Sequence, residues 1–289
     1  MRRSIIISAI IAALLAPAGA LAQDWGAIGG SILGGVTQMA KAAKEITPAE
    51  EYYIGRAVAA MILEKYPLYN NAALTQYINK VGLEVAYHSD RPVTYAGYHF
   101  AVLDTPEVNA FACPGGTILV TRGLLKLVQN EDQLANVLGH EVRHIADRDG
   151  IKAIKKSRWT KFAFYAAGEV GKHYTPSEVS QLVGEFQSVV SDVAKNVIDK
   201  GYSKKDEAEA DEYGMRYAMR SGYDPNAMAE FIKHEISLGI GDHSGPFSSH
   251  PKPSQRLKKV EGTILGDGLT GTVEPVRTKR YKRAVAALK

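Results

Sequence analysis

The segment His140-Glu141-Val142-Arg143-His144 combines residue types and a spacing that suit metal chemistry. Hydrophobic residues between positions 134 and 145 recur at helical intervals, so His140 and His144 lie one turn apart on one face of a helix. Two imidazoles in this arrangement can bind a single Zn²⁺, and Glu141 can act as general base on a water beside the metal. The segment therefore predicts a catalytic zinc site. The alternative is a surface helix with two incidental histidines, which the motif outweighs without excluding it.

A catalytic zinc ion needs a third protein ligand and leaves its fourth position to water. Residues 203–211 begin with a capping serine and are typical of a second helix, on which Glu207 and Asp211 share a face. Glu207 is predicted as the third ligand. Asp211 is predicted to accept the free N–H of a ligand histidine and so to fix the orientation of that ring. Acidic residues near a helix start are common for helix-dipole reasons alone, so this prediction depends on the histidine segment.

Four short sequence blocks follow one another between about residues 48 and 260: residues 109–116 with the strand after them, residues 140–144, residues 207–211, and Ser249-His250-Pro251 with Arg256. Together they resemble the zinc peptidases that include the CAAX prenyl proteases, the heat-shock membrane protease HtpX and the periplasmic protease-chaperone BepA. The resemblance implies a gluzincin-type fold in which His140, His144 and Glu207 hold one zinc ion per chain and Glu141 is the base. The chain has neither multiple membrane spans nor room for a long helical-repeat domain, so the resemblance implies a minimal soluble member.

Two residues of the last block and one departure from the family pattern bear on the same site. His250 lies on a proline-flanked loop and can approach the zinc as a fourth ligand, which would hold the enzyme latent, or can stabilise the oxyanion. Arg256 can supply positive charge to the tetrahedral intermediate, or can form an ion pair that pins the loop. Many relatives carry histidine after the arginine that matches Arg148, whereas this chain has Asp149. We expect that change to act on the site only indirectly.

The elements around these residues predict an α+β fold, predominantly helical, with a small β-sheet beside the histidine helix. A capping box at Thr47 to Glu50 starts the first helix, and a second helix is predicted over residues 74–86. Alternating and β-branched residues predict strands over 93–103 and 117–121. Helical patterning dominates from there to about residue 238.

The stretch that contains Asn109, Ala110 and Phe111 can present an edge strand beside the zinc. A substrate peptide would then add as a further strand through backbone hydrogen bonds, which favours extended or unfolded polypeptides. An ordinary core strand is the alternative. Cys113 is the single cysteine of the chain, which excludes an internal disulfide, and its position before Pro-Gly-Gly favours a small buried residue.

The N-terminal sequence predicts export. Two arginines, an uncharged apolar run and a small-x-small site at residues 20–22 are typical of a signal peptide, so residues 1–22 are predicted to be cleaved and the periplasm is the expected destination. A membrane anchor is the alternative. A glycine-rich leader over residues 23–46 precedes the metallopeptidase domain, which is predicted to span residues 47–262.

Two basic stretches raise the question of peripheral membrane contact. Residues 151–161 mix lysines with aromatic residues, which suits either a membrane-surface helix or a solvated helix face. Residues 263–289 form a polar, basic C-terminal tail, which can touch anionic lipid but more commonly means a disordered, solvated tail. The formal net charge of the whole chain is only +4, so a nucleic-acid-binding surface is not expected.

These observations predict a zinc metalloendopeptidase that hydrolyses unfolded or misassembled cell-envelope proteins. The complete set of predicted ligands and the intact Glu141 favour an active site. The alternative is an envelope chaperone or assembly factor whose zinc site is structural or latent, and a resting contact of His250 would favour that.

Overall fold

The computed structural model describes residues 46–152, 154, 176–240, 250–272 and 274–288. The predicted signal peptide, the glycine-rich leader up to residue 45, the basic stretch 155–161 and Ser249 lie outside the described residues. The predicted fold is confirmed, because the chain is mostly helical with one small mixed sheet.

The helices and strands follow one another in a simple order. In the described part of the chain they are α1 (Pro48–Lys65), α2 (Ala72–Tyr87), β1 (His99–Leu103), β2 (Ala110–Cys113), β3 (Thr117–Thr121), α3 (Arg122–Leu127), α4 (Glu131–Ala146), the short α5 (Asp149–Lys152), α6 (Pro176–Ala194), a π-helical turn (Lys195–Lys200), α7 (Lys204–Arg220), α8 (Asn226–Ser237), α9 (Pro253–Gly266) and α10 (Pro275–Val285).

The sheet has the order β1-β3-β2, so β3 is central and β2 lies at an edge. β1 runs parallel to β3, and β2 runs antiparallel to it with Ala110 opposite Val120. The strand predicted over 117–121 is confirmed. The strand predicted from residue 93 is wrong in its first half, because Gly97 has φ 83° and turns the chain just before β1 begins.

Local capping residues set where the helices begin, as the sequence predicted. The Thr47 hydroxyl accepts from the Glu50 amide at 3.3 Å, and the Glu50 carboxylate accepts from the Thr47 amide at 2.6 Å. Asn130 accepts from the Gln133 amide at 2.8 Å and starts α4. Ser203 and Asp206 form a second capping box at the start of α7. The two helices that carry the predicted ligands thus have starts fixed by their own sequence.

Two hydrophobic cores flank the sheet. The side chains of β3 alternate between them: Ile118 and Val120 point into the core built with α2, α4, α7 and α8, whereas Leu119 points into the core built with α1 and α6. Cys113 is fully buried in the second core, which confirms the prediction of a small buried residue.

Helices α4 and α7 cross at two glycines. A Cβ atom on Gly139 would lie 2.5 Å from the Gly214 carbonyl oxygen, and one on Gly214 would lie 2.5 Å from the His140 amide nitrogen. The two backbones are therefore in direct contact, which no residue with a side chain would allow. This close approach brings His140 opposite the acidic face of α7.

The C-terminal segment is a packed helix, so the expectation of a disordered, solvated tail is wrong. Tyr281 of α10 is only 1% exposed, and its hydroxyl donates to the Leu125 carbonyl. Arg277 of the same helix is 2.7 Å from a carboxylate oxygen of Asp132, at the start of α4. An aromatic residue and acidic partners far away in sequence thus order a segment that its composition alone describes as polar. None of the described helices is long and apolar enough to cross a membrane.

Candidate active site

His140 and His144 point their Nε2 atoms at each other from adjacent turns of α4, at a distance of 3.1 Å. On the other side of each ring a carboxylate faces Nδ1: Asp211 lies 2.9 Å from His140, and Asp149 lies 2.8 Å from His144. An ionised carboxylate only accepts hydrogen bonds, so each Nδ1 carries a proton, and in its neutral form each ring presents an Nε2 lone pair to the other. Two facing lone pairs need a cation between them, either a shared proton or a metal ion.

Glu207 of α7 completes this arrangement. Its Oε2 lies 3.6 Å from His140 Nε2 and its Oε1 lies 3.7 Å from His144 Nε2. Among the described residues Oε1 is buried without any hydrogen-bond partner. A buried, unsatisfied carboxylate oxygen is costly, and it lies beside two facing imidazole nitrogens. One ligand atom from each of His140, His144 and Glu207 lies within 4.8 Å of the other two. The three side chains therefore have the donor set that a metal ion requires.

Asp211 holds His140 and is itself held by Arg256 of α9. The guanidinium of Arg256 donates to both Asp211 carboxylate oxygens, at 3.0 and 2.8 Å. Burial opposes ionisation of Asp211, but Arg256 and His140 outweigh it and keep the pKa of this carboxyl far below its usual value. The predicted contact between Asp211 and a histidine is present. For Arg256 the geometry favours the ion-pair interpretation, since two of its nitrogens are engaged by Asp211.

His250 contacts Glu207 rather than standing apart from the site. Its Nδ1 lies 2.5 Å from Glu207 Oε2, and its ring centroid lies 5.3 Å from that of His140. Burial alone would lower the pKa of His250, but the Glu207 carboxylate outweighs it and raises the pKa to about 9. The same pair lowers the pKa of Glu207 to about 2 against the effect of burial. The loop that carries His250 is therefore tied to the predicted ligand cluster.

Glu141 lies on the cleft side of the two histidines and is 4% exposed. It lines a cavity together with His140, Asn109 and Ala110. The start of edge strand β2 thus forms one wall of the space in front of Glu141. This placement suits a base that must reach a reacting group in the cleft.

The three predicted substrate-strand residues differ in what they present to the cleft. Asn109 and Ala110 lie on its wall, and the Ala110 amide already donates to the Asn109 side chain at 2.8 Å. The Phe111 ring is buried and stacks on Tyr66 with 6.0 Å between ring centroids. Only the backbone of Phe111 belongs to the strand edge.

Two residues that touch His144 were not predicted as partners. Asp149 was expected to act on the site only indirectly, and its contact is of that kind, because its carboxylate accepts from His144, a predicted ligand. Tyr202 lies with its ring centroid 4.2 Å from that of His144, and its hydroxyl donates to the Ala112 carbonyl at 3.4 Å. The departure from the family pattern at Asp149 was the available signal. Nothing in the spacing of Tyr202 indicates a role.

A buried ion-pair network positions Asp149. Arg148 has φ 59°, which is left-handed for a residue with a side chain and turns the chain sharply after α4. Its side chain compensates by pairing with buried Glu51 at 2.9 Å and donating to the Ile46 carbonyl at 2.6 Å. Arg91 binds the same Glu51 carboxylate from the other side at 2.9 Å. This turn places Asp149 beneath His144.

Comparison with known proteins agrees with this geometry. The model of peptidase family M48 matches residues 72–264, which contain all the predicted ligands and Glu141. The chain belongs to peptidase family M48. The resemblance inferred from the four sequence blocks is thereby confirmed.

Several known peptidases are similar in sequence to this chain. The beta-barrel assembly-enhancing protease of Escherichia coli (strain K12) is 27% identical over 219 residues, which cover 75% of this chain and 44% of that protein. Metalloprotease LoiP of the same strain is 26% identical over 197 residues, covering 68% of this chain and 71% of that protein. The mitochondrial metalloendopeptidase OMA1 of Arabidopsis thaliana is 33% identical over 174 residues, which cover 58% of this chain and 32% of that protein. The match thus spans less than half the length of the first of these relatives.

Proposed function

We propose that this protein is a zinc-dependent endopeptidase that hydrolyses peptide bonds of unfolded or misassembled cell-envelope proteins. The observation that carries the proposal is the convergence of two imidazole nitrogens on the Glu207 carboxylate, whose Oε1 has no hydrogen-bond partner among the described residues. Two histidines and a carboxylate, with a fourth position left to water, are the ligand set of catalytic zinc sites. His140, His144 and Glu207 would hold one zinc ion per chain.

The chain's own residues supply the proton transfers and the orientation. The three proposed ligands would hold a zinc ion that, when bound, would supply Lewis acidity at the scissile carbonyl and a water with its pKa lowered to about 7. Glu141 takes the proton of that water and passes it to the leaving amine. Asp211 and Asp149 accept the Nδ1–H groups of the two histidines and keep both rings aimed at the cluster.

The substrate class follows from the shape of the cleft wall. Edge strand β2 begins at Ala110 beside the cavity that contains Glu141. An extended polypeptide can pair with such an edge through backbone hydrogen bonds, without a strict sequence requirement. The name of one relative, beta-barrel assembly-enhancing protease, supports envelope proteins as the class of substrate. The signal-peptide pattern of residues 1–22 supports the periplasm as the place of action.

One contact favours a second candidate, an envelope chaperone with a latent site. His250 forms a 2.5 Å contact with Glu207, which engages a proposed zinc ligand in the resting chain. If His250 took the fourth metal position in the loaded protein, it would displace the water and block hydrolysis. The intact Glu141 and the open cavity beside it favour the peptidase.

The decisive test replaces the base while keeping the ligands. Zinc-loaded protein is expected to hydrolyse casein, and Glu141→Gln is expected to retain zinc while lowering the rate by about 10²- to 10⁴-fold, the usual contribution of a general base. Glu209→Gln, at a partly exposed glutamate on α7, is the matched control and should leave the rate unchanged. Normal casein hydrolysis by Glu141→Gln would contradict the mechanism. Equal rescue of a deletion strain by wild type and Glu141→Gln would favour the chaperone.

A further inference from the structure

The cavity in front of Glu141 has apolar walls and one further acidic residue. Its apolar lining comes from β2, α3, α4 and α8 and from residues next to these elements. Glu235 of α8 lies in the same lining, and the proposed mechanism gives it no role. The apolar side chains of the lining include those of Val108, Leu124, Val137, Met228, Phe231 and Ile240.

Glu235 is buried without adequate partners. The residue is 8% exposed, and among the described residues its Oε2 has no hydrogen bond. Burial raises the pKa of this carboxyl, and the nearby charge of Arg256 only partly opposes the shift. A buried carboxylate normally accepts several hydrogen bonds or contacts a cation directly, so this side chain lacks a donor.

The charges around Glu235 leave a negative excess. Arg256 donates to Asp211 at 2.8 and 3.0 Å, while its remaining nitrogen, Nη1, lies 3.6 Å from Glu235 Oε2. One guanidinium thus serves two carboxylates. His250 adds only a weaker, longer-range contribution to Glu235, because it is paired directly with Glu207 at 2.5 Å. A cation that entered the cavity would find in Glu235 a carboxylate with one long ion-pair contact and no hydrogen bond to its Oε2 among the described residues.

We propose that this cavity is the side-chain subsite beside the scissile bond, and that Glu235 selects lysine or arginine there. The proposal rests on the peptidase function proposed above. His140 and Glu141 line the same cavity, so a side chain held in it belongs to a residue next to the reacting bond. The apolar walls suit the methylene stem of a long basic side chain, and Glu235 suits its charged tip. Glu235 is therefore a specificity-determining residue.

A pair of peptides isolates the charge of the substrate side chain. Lysine and norleucine have the same stem, and only lysine carries an ammonium group. Peptides with either residue on one or the other side of the scissile bond are cleaved by the zinc-loaded protein, and kcat/KM is measured for each. Wild type is expected to prefer lysine by about tenfold or more at one of the two positions, as a charge-assisted hydrogen bond provides. Glu235→Gln is expected to reduce that ratio about tenfold.

Glu230→Gln is the matched control, because Glu230 lies exposed on the same helix. It should leave the lysine-to-norleucine ratio as in wild type. Thermal melts of both variants establish that equal amounts of folded protein are compared. The lysine-to-norleucine ratio of wild type tests the preference even if a variant fails to fold.

The outcomes separate this inference from the function beneath it. A preference for lysine that collapses in Glu235→Gln supports the role of Glu235. Cleavage of both peptides with no preference in wild type, or a preference that Glu235→Gln leaves intact, overturns the inference and leaves the peptidase function standing. Failure of the zinc-loaded protein to cleave casein or either peptide contradicts the peptidase function and removes the inference with it.

Discussion

Helix α4 begins with two buried carboxylates, Glu131 and Asp132, and its last two turns carry the buried side chains of His140, Glu141 and His144. Both ends therefore bury ionisable groups in the same helix. The two ends differ in whether the described part of the chain supplies hydrogen-bond and ion-pair partners for these groups. That difference separates groups that stabilise the fold from groups arranged for a reaction.

At the first end the chain supplies hydrogen-bond and ion-pair partners for both carboxylates. Glu131 accepts from the Tyr77 hydroxyl at 2.8 Å and pairs with Arg280. Asp132 accepts from the Asp224 amide at 3.0 Å and from Arg277 at 2.7 Å. Negative charge is also favoured at a helix N-terminus by the helix dipole. These contacts attach α10 to α4.

At the other end donors and acceptors do not balance within the described residues. The Nε2 atoms of His140 and His144 face each other, and Glu207 Oε1 has no hydrogen bond. Nearby Glu235 Oε2 lacks one as well. Because folded proteins rarely leave buried polar atoms unsatisfied, these atoms indicate where external groups bind.

The largest effect among the variants that sharpen this comparison is expected for Asp211→Asn. The substitution leaves Arg256 buried with only the longer contact to Glu235, so the free energy of unfolding should fall by about 3–5 kcal/mol. His140 also loses its anionic acceptor, so zinc affinity should fall about 10- to 100-fold. Urea unfolding with excess chelator measures the first effect, and competition with a chromophoric chelator measures the second. Unchanged zinc affinity would show that Asp211 serves only the fold.

A smaller effect is expected for Glu131→Gln at the other end of the helix. Arg280 is half exposed and can turn into solvent when its partner is neutralised, so the loss should be about 1–3 kcal/mol. Zinc affinity and casein hydrolysis per folded molecule should not change. The same unfolding and zinc titrations apply. A loss of zinc affinity as large as that of Asp211→Asn would break the comparison, because it would couple the two ends.

Much of the fold and most of the site follow from signals that are local in sequence. A capping box such as Thr47 to Glu50 acts over a single turn. The pair His140 and His144 also needs only one helix. The order of the blocks indicated the family before any geometry was known, and the family match confirms it.

The contacts that sequence did not predict join residues far apart. α10 docks on α4 through residues more than a hundred positions away, and only the folded chain brings Arg277 to Asp132. Tyr202 likewise has no spacing relation to His144, which its ring contacts, and Glu235 has none to His140, with which it lines the cavity. The roles of His140, His144, Glu207 and Glu141 stay predictions from the motif, now joined to a geometry that suits them.

Zinc content tests the central claim most directly, because the claim is that the unsatisfied atoms beside α4 bind a metal ion. Purified wild type and Glu207→Gln are loaded with zinc, and stoichiometry and Kd are measured by mass spectrometry and chelator competition, with Glu209→Gln as the control. We predict one zinc ion per chain in wild type and in the control. In Glu207→Gln we predict affinity at least about 100-fold weaker, since even groups that only orient a ligand change it 10- to 100-fold. Equal zinc affinity in Glu207→Gln and wild type would contradict the account.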